Sequence, residues 1–167
     1  RATVIGAGEY TIQASGVTSY LSDLSVLPVF GLKVVKAVVN NHHSLEQGLA
    51  AALGKFDQTQ YGEGFAIALA LQELPSYHLV RNIAEEVEAL LKRSTNPSMP
   101  LYLVLDADIA KSLGGILKEE LKLPGAVIAL DGIDAGDLDY VDIGRPMGAS
   151  ESLPVTVKSL MFPSSAA

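Results

Sequence analysis

Three short, uninterrupted apolar runs constrain this chain most: Phe65–Leu71 (FAIALAL), Leu101–Leu105 (LYLVL) and Ala126–Leu130 (AVIAL). Each is too short for a buried helix. Each also lacks the alternation of a strand with one wet face. The pattern fits strands covered on both faces, as in a parallel sheet. Helical patterns lie between the runs. Pro75 and Ser76 open the strongest, which extends to about Lys92 with Leu79, Ile83, Val87, Leu90 and Leu91 as its apolar stripe. Glu85, Glu86 and Glu88 fall mostly on the wet side, and Lys92–Arg93 suits the C-terminal dipole. A second pattern starts after Leu105, is capped by Asp106 or Asp108, and runs to about Leu121 before Pro124 and Gly125 end it. Strand, helix, strand, helix, strand is the order of right-handed βαβ units.

The flanks read differently. Val17–Leu21 and Leu32–Val39 are predicted strands, with Pro28 and Gly31 marking the turn before the second, and Lys33 and Lys36 leaving it partly exposed. Ser44 is placed to cap a helix over Leu45–Phe56, with Gln47 completing a capping box. Tyr140–Ile143 and Pro154–Leu160 read as closing strands. Arg1–Ala14 is ambiguous: Thr3, Val4 and Ile5 favour a strand, while Gly6 and Gly8 suggest close backbone packing. The expected fold is α/β, a three-layer, mostly parallel sheet of βαβ units with antiparallel additions at both ends. Residues 1–167 form one domain, of a length that supports a proper core. Apolar residues make up 49 % of the chain but aromatics only 6 %, with no Trp, so that core must be aliphatic.

Charge and composition exclude several functions. Twelve Lys and Arg stand against nineteen Asp and Glu, a net −7, with no basic run. Such a surface is a poor match for nucleic acid or anionic lipid, which bind through neutralising cations. The absence of cysteine excludes disulfides, zinc–thiolate sites and thiol chemistry, and suits a reducing cytoplasm. The longest apolar runs fall far short of the roughly 20 residues that span a bilayer. No cationic start leads into an apolar signal region, and the first residue is Arg1 rather than Met, the expected mark of a processed or excised piece of a longer chain.

Candidate sites divide into those that fail on spacing and those that stay open. Gly6-Ala7-Gly8 begins a dinucleotide fingerprint, but Thr11 occupies the place of its third glycine. Gly48 to Gly54-Lys55 is one residue too long for a phosphate loop, and Phe56 replaces the required hydroxyl. His42-His43 has no partner ligands at metal spacing. No G-x-S-x-G elbow is present. Asp131, Asp134, Asp137, Asp139 and Asp142 lack the order of a calcium loop and read as a solvated turn or a surface for a basic partner. Asp106 and Asp108 are the remaining ligand-edge candidates. They sit just past a buried strand, where open α/β sheets gather ligands. Helix capping is the plainer role for either. The alternative is a phosphoacceptor or small-ligand site completed by Thr156 and Lys158.

The two ends of the chain are distinctive. The start reads Arg1-Ala-Thr-Val-Ile-Gly-Ala-Gly8, then Ser15-Gly16-Val17-Thr18. The finish reads Asp139-Tyr-Val-Asp-Ile-Gly144, Pro146, Leu153-Pro-Val-Thr-Val-Lys-Ser-Leu160 and Phe162-Pro163-Ser164. These stretches resemble the C-terminal part of the EutA family, the reactivating factors of ethanolamine ammonia-lyase. The middle agrees in its order of elements. Glu9 and Tyr10 stand where the family has smaller or His-like residues, Val17 replaces a serine, and the acidic loop before Tyr140 is longer. The resemblance implies an actin/Hsp70-like ATPase superfamily fold. It also implies an ATP- and Mg-dependent chaperone that releases damaged cobalamin from the lyase so that adenosylcobalamin can enter. The expected partner is the lyase, with a homodimer as a further assembly, in the bacterial cytoplasm or beside a microcompartment. The family's nucleotide motifs lie upstream of the stretch matching Arg1. No catalytic, cofactor-binding or metal residue is therefore assigned here, and Gly114-Gly115 belongs to a helix pattern rather than an adenosine site.

Overall fold

The computed structural model describes residues 8–15, 18–40, 45–53, 64–94, 96–149 and 152–160. The elements are β1 (Gly8–Ala14), β2 (Tyr20–Leu21), β3 (Val29–Val39), α1 (Leu45–Leu53), β4 (Phe65–Leu71), α2 (Tyr77–Lys92), β5 (Leu101–Leu105), α3 (Ala110–Gly115), β6 (Val127–Asp131), β7 (Tyr140–Ile143) and β8 (Pro154–Leu160). They build one eight-stranded sheet in the order β1-β8-β7-β3-β4-β5-β6-β2. Strands β3 to β6 are parallel, and the four flanking strands are antiparallel to their neighbours. This mixed sheet is consistent with the expected α/β class.

The buried runs behave as their composition requires. Every residue of β5 and β6 is buried. Helix α2 begins where Ser76 accepts the Leu79 amide at 3.2 Å, and it buries Val80, Ile83, Ala84, Val87 and Leu91. Helices α1, α2 and α3 share one apolar cluster with Val35, Ile67, Leu103 and Val127, on one face of the parallel strands. The opposite face carries a second cluster, in which Val34, Ala68, Val104 and Leu130 meet Val141, Ile143, Val155 and Val157 of β7 and β8. Among the described residues no α-helix covers this second face. The three-layer arrangement is therefore met on one side only, and the sheet closes the other side by curling over itself.

Chain length forces the curl. Strands β1 and β2 lie on opposite edges of the sheet. A flat sheet of eight strands would hold its edges about 34 Å apart, at about 4.8 Å per neighbour. Ala14 and Tyr20 are separated by only six chain steps, which reach at most about 22 Å. Gln13 fastens the curl: its amide Nε2 donates to the Asp134 carbonyl at 3.0 Å, and its Oε1 accepts the Asp134 N–H at 2.9 Å.

Several boundaries move from their predicted places. Strand β3 starts at Val29, and Gly31 lies inside it rather than in a turn before it. Pairing with β7 shifts between Val29 and Leu32. Both of those residues pack inward, leaving Phe30 and Gly31 as the extra outward pair of a bulge, with Gly31 at φ +66°. The strand expected over Val17–Leu21 is described only as Tyr20–Leu21. The expected Ser44 cap, residues beyond Leu53 in α1, and the Thr3–Ile5 segment lie outside the described residues.

Candidate functional site

The carboxyl ends of β4, β5 and β6 form the edge at which Asp106 and Asp108 were expected. Asp106 follows β5 directly. Its Oδ1 accepts the Leu71 N–H at 3.1 Å, and its own N–H donates to the Leu69 carbonyl at 3.3 Å. It thus extends the pairing of β5 with β4 past the last regular residue. Asp108 reaches across to Thr18, whose hydroxyl donates to its Oδ1. Both aspartates are exposed.

Neither aspartate caps α3, contrary to the expectation. The N-cap position is Ile109, which has no side chain able to accept. The cap comes from Asp131, the last residue of β6. Its Oδ1 accepts the Ile109 and Ala110 N–H groups at 3.2 and 2.8 Å. Its Oδ2 faces the same Thr18 hydroxyl. Asp131 is only 4 % exposed. Burial pushes its carboxyl above the usual aspartate range, and the neighbouring Asp108 carboxylate adds to the rise, against the lowering pull of Thr18 and the Ala110 N–H.

Helix α3 does not end as a regular helix. A π-helical turn over Ile116–Glu120 continues it, so the expected span to about Leu121 holds with a widened last turn. Lys118 closes that end by donating to the carbonyls of Leu123, Pro124 and Gly125 at 2.9, 3.5 and 2.9 Å. Gly114 and Gly115 are helical, as expected.

The acidic stretch is mostly not a solvated surface. Besides the buried Asp131, Asp137 accepts the Lys36 N–H at 3.3 Å and Asp139 accepts the Gly136 N–H at 2.6 Å. Asp142 accepts the Gly31 N–H at 2.7 Å within the β3 bulge, and pairs with Lys158 at 2.5 Å. Burial works against the charge of Asp142, but Lys158 and the Gly31 amide outweigh it and hold its pKa below the usual value. These carboxylates hold turns and strands; Asp134 alone of the five is exposed.

The phosphoacceptor grouping is not assembled. Lys158 and Thr156 lie on β8, and three strands separate β8 from β5. The Lys158 ammonium is engaged by Asp142. Among the described residues no group of three or more His, Asp or Glu is placed to hold a metal ion. The ATP and Mg implied for the family also find no fit at this edge. A phosphate would use the amides at the start of α3, and Asp131 already takes those of Ile109 and Ala110. Gly6-Ala7, His42-His43 and Gly54-Lys55 lie outside the described residues. Thr18 and Asp131 are the residues that sequence reasoning missed at this edge. Asp131 carried a signal, since it directly follows an apolar run just as Asp106 does. Thr18 carried none, because its partners stand 90 and 113 residues away.

Fold and edge together define a mixed-sheet α/β module whose strand-end carboxylates are committed to holding helices and strands in place. No solved structure matches the chain at a significant level. The family model for ethanolamine utilisation protein EutA matches residues 1–163, and the chain belongs to that family. It is 38 % identical over 165 residues to the ethanolamine ammonia-lyase reactivase EutA of Salmonella typhimurium strain LT2, and 37 % identical to the protein of the same name in Escherichia coli strain K12. Each match covers 98 % of this chain and 34 % of the relative, so the chain spans about a third of the length of the curated relatives it matches.

Proposed function

We propose that this chain is the C-terminal, non-catalytic module of an ATP-dependent reactivating factor for adenosylcobalamin-dependent ethanolamine ammonia-lyase. The observation that carries this reading is identity of 38 % across nearly the whole chain to a protein named as that lyase's reactivase. The engagement of Asp106, Asp108 and Asp131 in structural hydrogen bonds supports the non-catalytic part. Nucleotide handling, with ATP and Mg, then belongs to the rest of the parent protein. The module completes the ATPase body or contacts the lyase in the cytoplasm, in or beside a microcompartment, and a dimer of the parent is compatible with both roles.

Two measurements test the proposal. Immobilised chain should retain the lyase, and calorimetry should give no heat of ATP·Mg²⁺ binding to the chain alone. Micromolar ATP binding would overturn the division of labour, and failure of the parent protein to restore cobalamin-inactivated lyase would overturn the activity. The competing reading, a phosphoacceptor domain, draws on the exposure of Asp106 and Asp108. Acetyl phosphate treatment followed by mass measurement separates the two. An aspartyl adduct lost in Asp106→Asn or Asp108→Asn would favour the competitor.

A further inference from the structure

The two edges of the sheet are unlike. The β2 edge is two residues long, whereas β1 offers seven, Gly8–Ala14. Beyond its ladder with β8, no backbone hydrogen bond among the described residues involves residues 8–14. An outward row of N–H and C=O groups without partners is a template for another strand, and proteins ordinarily blunt it with lysine, proline, a bulge or a covering helix. Strand β1 contains no lysine or proline, and it pairs with β8 along its whole length without a register shift. Its two faces differ as well. Thr11 and Gln13 stand beside Val157 and Val155 of the second apolar cluster, so Tyr10 and Ile12 stand on the opposite face, beside Lys158 and Thr156. The cluster formed with the helices takes in no residue of β1, β7 or β8. Tyr10 and Ile12 are accordingly 68 % and 76 % exposed.

We propose that β1 is a self-association edge: a second copy of this chain adds its own β1 in antiparallel register about Thr11, joining the two sheets into one across a two-fold axis. The strand is complementary to itself in this register. Tyr10 of each copy falls opposite Ile12 of the other, so the two-fold makes an aromatic–β-branched pair twice. Moving the centre by one residue sets Ile12 against Gly8, or Tyr10 against Ala14, and loses both pairs. Thr11 falls opposite Thr11. Glu9, the one charged residue of the strand, falls opposite Gln13, so no like charges meet. That matters in a chain of net −7, where an arbitrary contact between copies tends to set acid against acid. An edge of seven residues is small, so the association belongs to the weak, concentration-dependent class. The proposal goes beyond the reactivase reading and does not rest on it.

Sedimentation equilibrium tests the edge. The mass should rise from one chain towards two as concentration increases to about 1 mM, the weak end of specific binding. Combining Tyr10→Lys with Ile12→Lys sets like charges directly opposite each other and should abolish the dimer. Both positions are exposed, so the fold of the single chain tolerates the change. Mixing that variant with one carrying Tyr10→Glu and Ile12→Glu should restore association, because each cation then faces a carboxylate. The chain has no cysteine of its own. Thr11→Cys should therefore yield a disulfide-linked dimer on mild oxidation, since directly opposed residues stand about 4.5–5.5 Å apart at Cα, within disulfide reach. Leu74→Cys, 92 % exposed between β4 and α2, should stay unlinked. A mass of one chain throughout, a dimer that survives the paired lysine substitutions, or cross-linking no greater at Thr11→Cys than at Leu74→Cys would overturn the proposal. So would β1 amides protected from exchange in the parent protein while that protein remains a monomer, which would assign the edge to the rest of the parent. The cross-link keeps the proposal testable should the lysine variant fail to fold.

Discussion

Asp131 shows how much one buried carboxylate decides in this molecule. It ends β6, caps α3 and touches the crossover, so three segments distant in sequence depend on it. Truncation removes the α3 cap and so leaves the buried Ile109 and Ala110 N–H donors without partners, at about 1–3 kcal/mol. Asp131→Ala is expected to lower stability by about that amount in urea unfolding, with Asp131→Asn intermediate because it keeps an acceptor. Asp108→Ala, at an exposed position, should cost less than about 1 kcal/mol. The two aspartates of opposite pKa shift also make opposite contributions to pH dependence. Asp142 is held low by Lys158 and the Gly31 amide, so its stabilisation is present above about pH 3.9 and is lost as pH falls through its folded value. Asp131 is raised, so its contribution is full below about pH 3.9 and is lost as pH rises through its folded value. Lys158→Met should therefore flatten the acid limb of a stability–pH curve, and an unchanged limb would remove Asp142 as its source.

At the scale of elements, close approach explains residues that local propensity does not. Gly114 sits mid-helix, where alanine would ordinarily be the better helix former by about 1 kcal/mol. Here a Cβ would stand 2.4 Å from Cγ of Tyr20, which packs from β2 across α3. Gly114→Ala is expected to destabilise by about 1–3 kcal/mol through overpacking, and most of that loss should disappear in the Tyr20→Ala background. A melting temperature that rises in Gly114→Ala alone would contradict the contact. The junction of α3 and β6 has a similar constraint at Gly125, where a Cβ would meet the Met99 carbonyl oxygen at 2.3 Å. The parallel core needs no such special pleading. Leu103, fully buried in β5, should cost about 2–5 kcal/mol on replacement by alanine.

At the scale of the whole molecule, the short link between the outermost strands makes this sheet a curled surface rather than an open one. Gln13 fastens that closure, while Ser15 and Thr18 hold the two ends of the link to the strands beside them. Gln13→Ala removes two hydrogen bonds to the backbone of Asp134, each worth about 0.5–1.5 kcal/mol net. The expected result is faster amide exchange along β1 with little change in β4 to β6, and uniform loss of protection would contradict a local clasp. The sequence already determined the parallel centre of this fold. Phe65–Leu71, Leu101–Leu105 and the α2 stripe carry their burial in their own length and periodicity, which a local reading detects even though the strands pair with partners 26 to 36 residues away. The terminal motifs likewise carried the family. Only the tertiary structure decided which acid caps α3, where the β3 bulge falls, and that the second face is covered by curl instead of helices. The cap rests on Asp131 with Ala110, 21 positions apart, and the bulge and the curl on contacts such as Gly31 with Asp142 and Gln13 with Asp134, made between residues more than a hundred positions apart. No local pattern encodes such a pairing. It exists because the covalent link between β1 and β2 is too short for the sheet to lie flat, and that becomes evident only once the strand order is known.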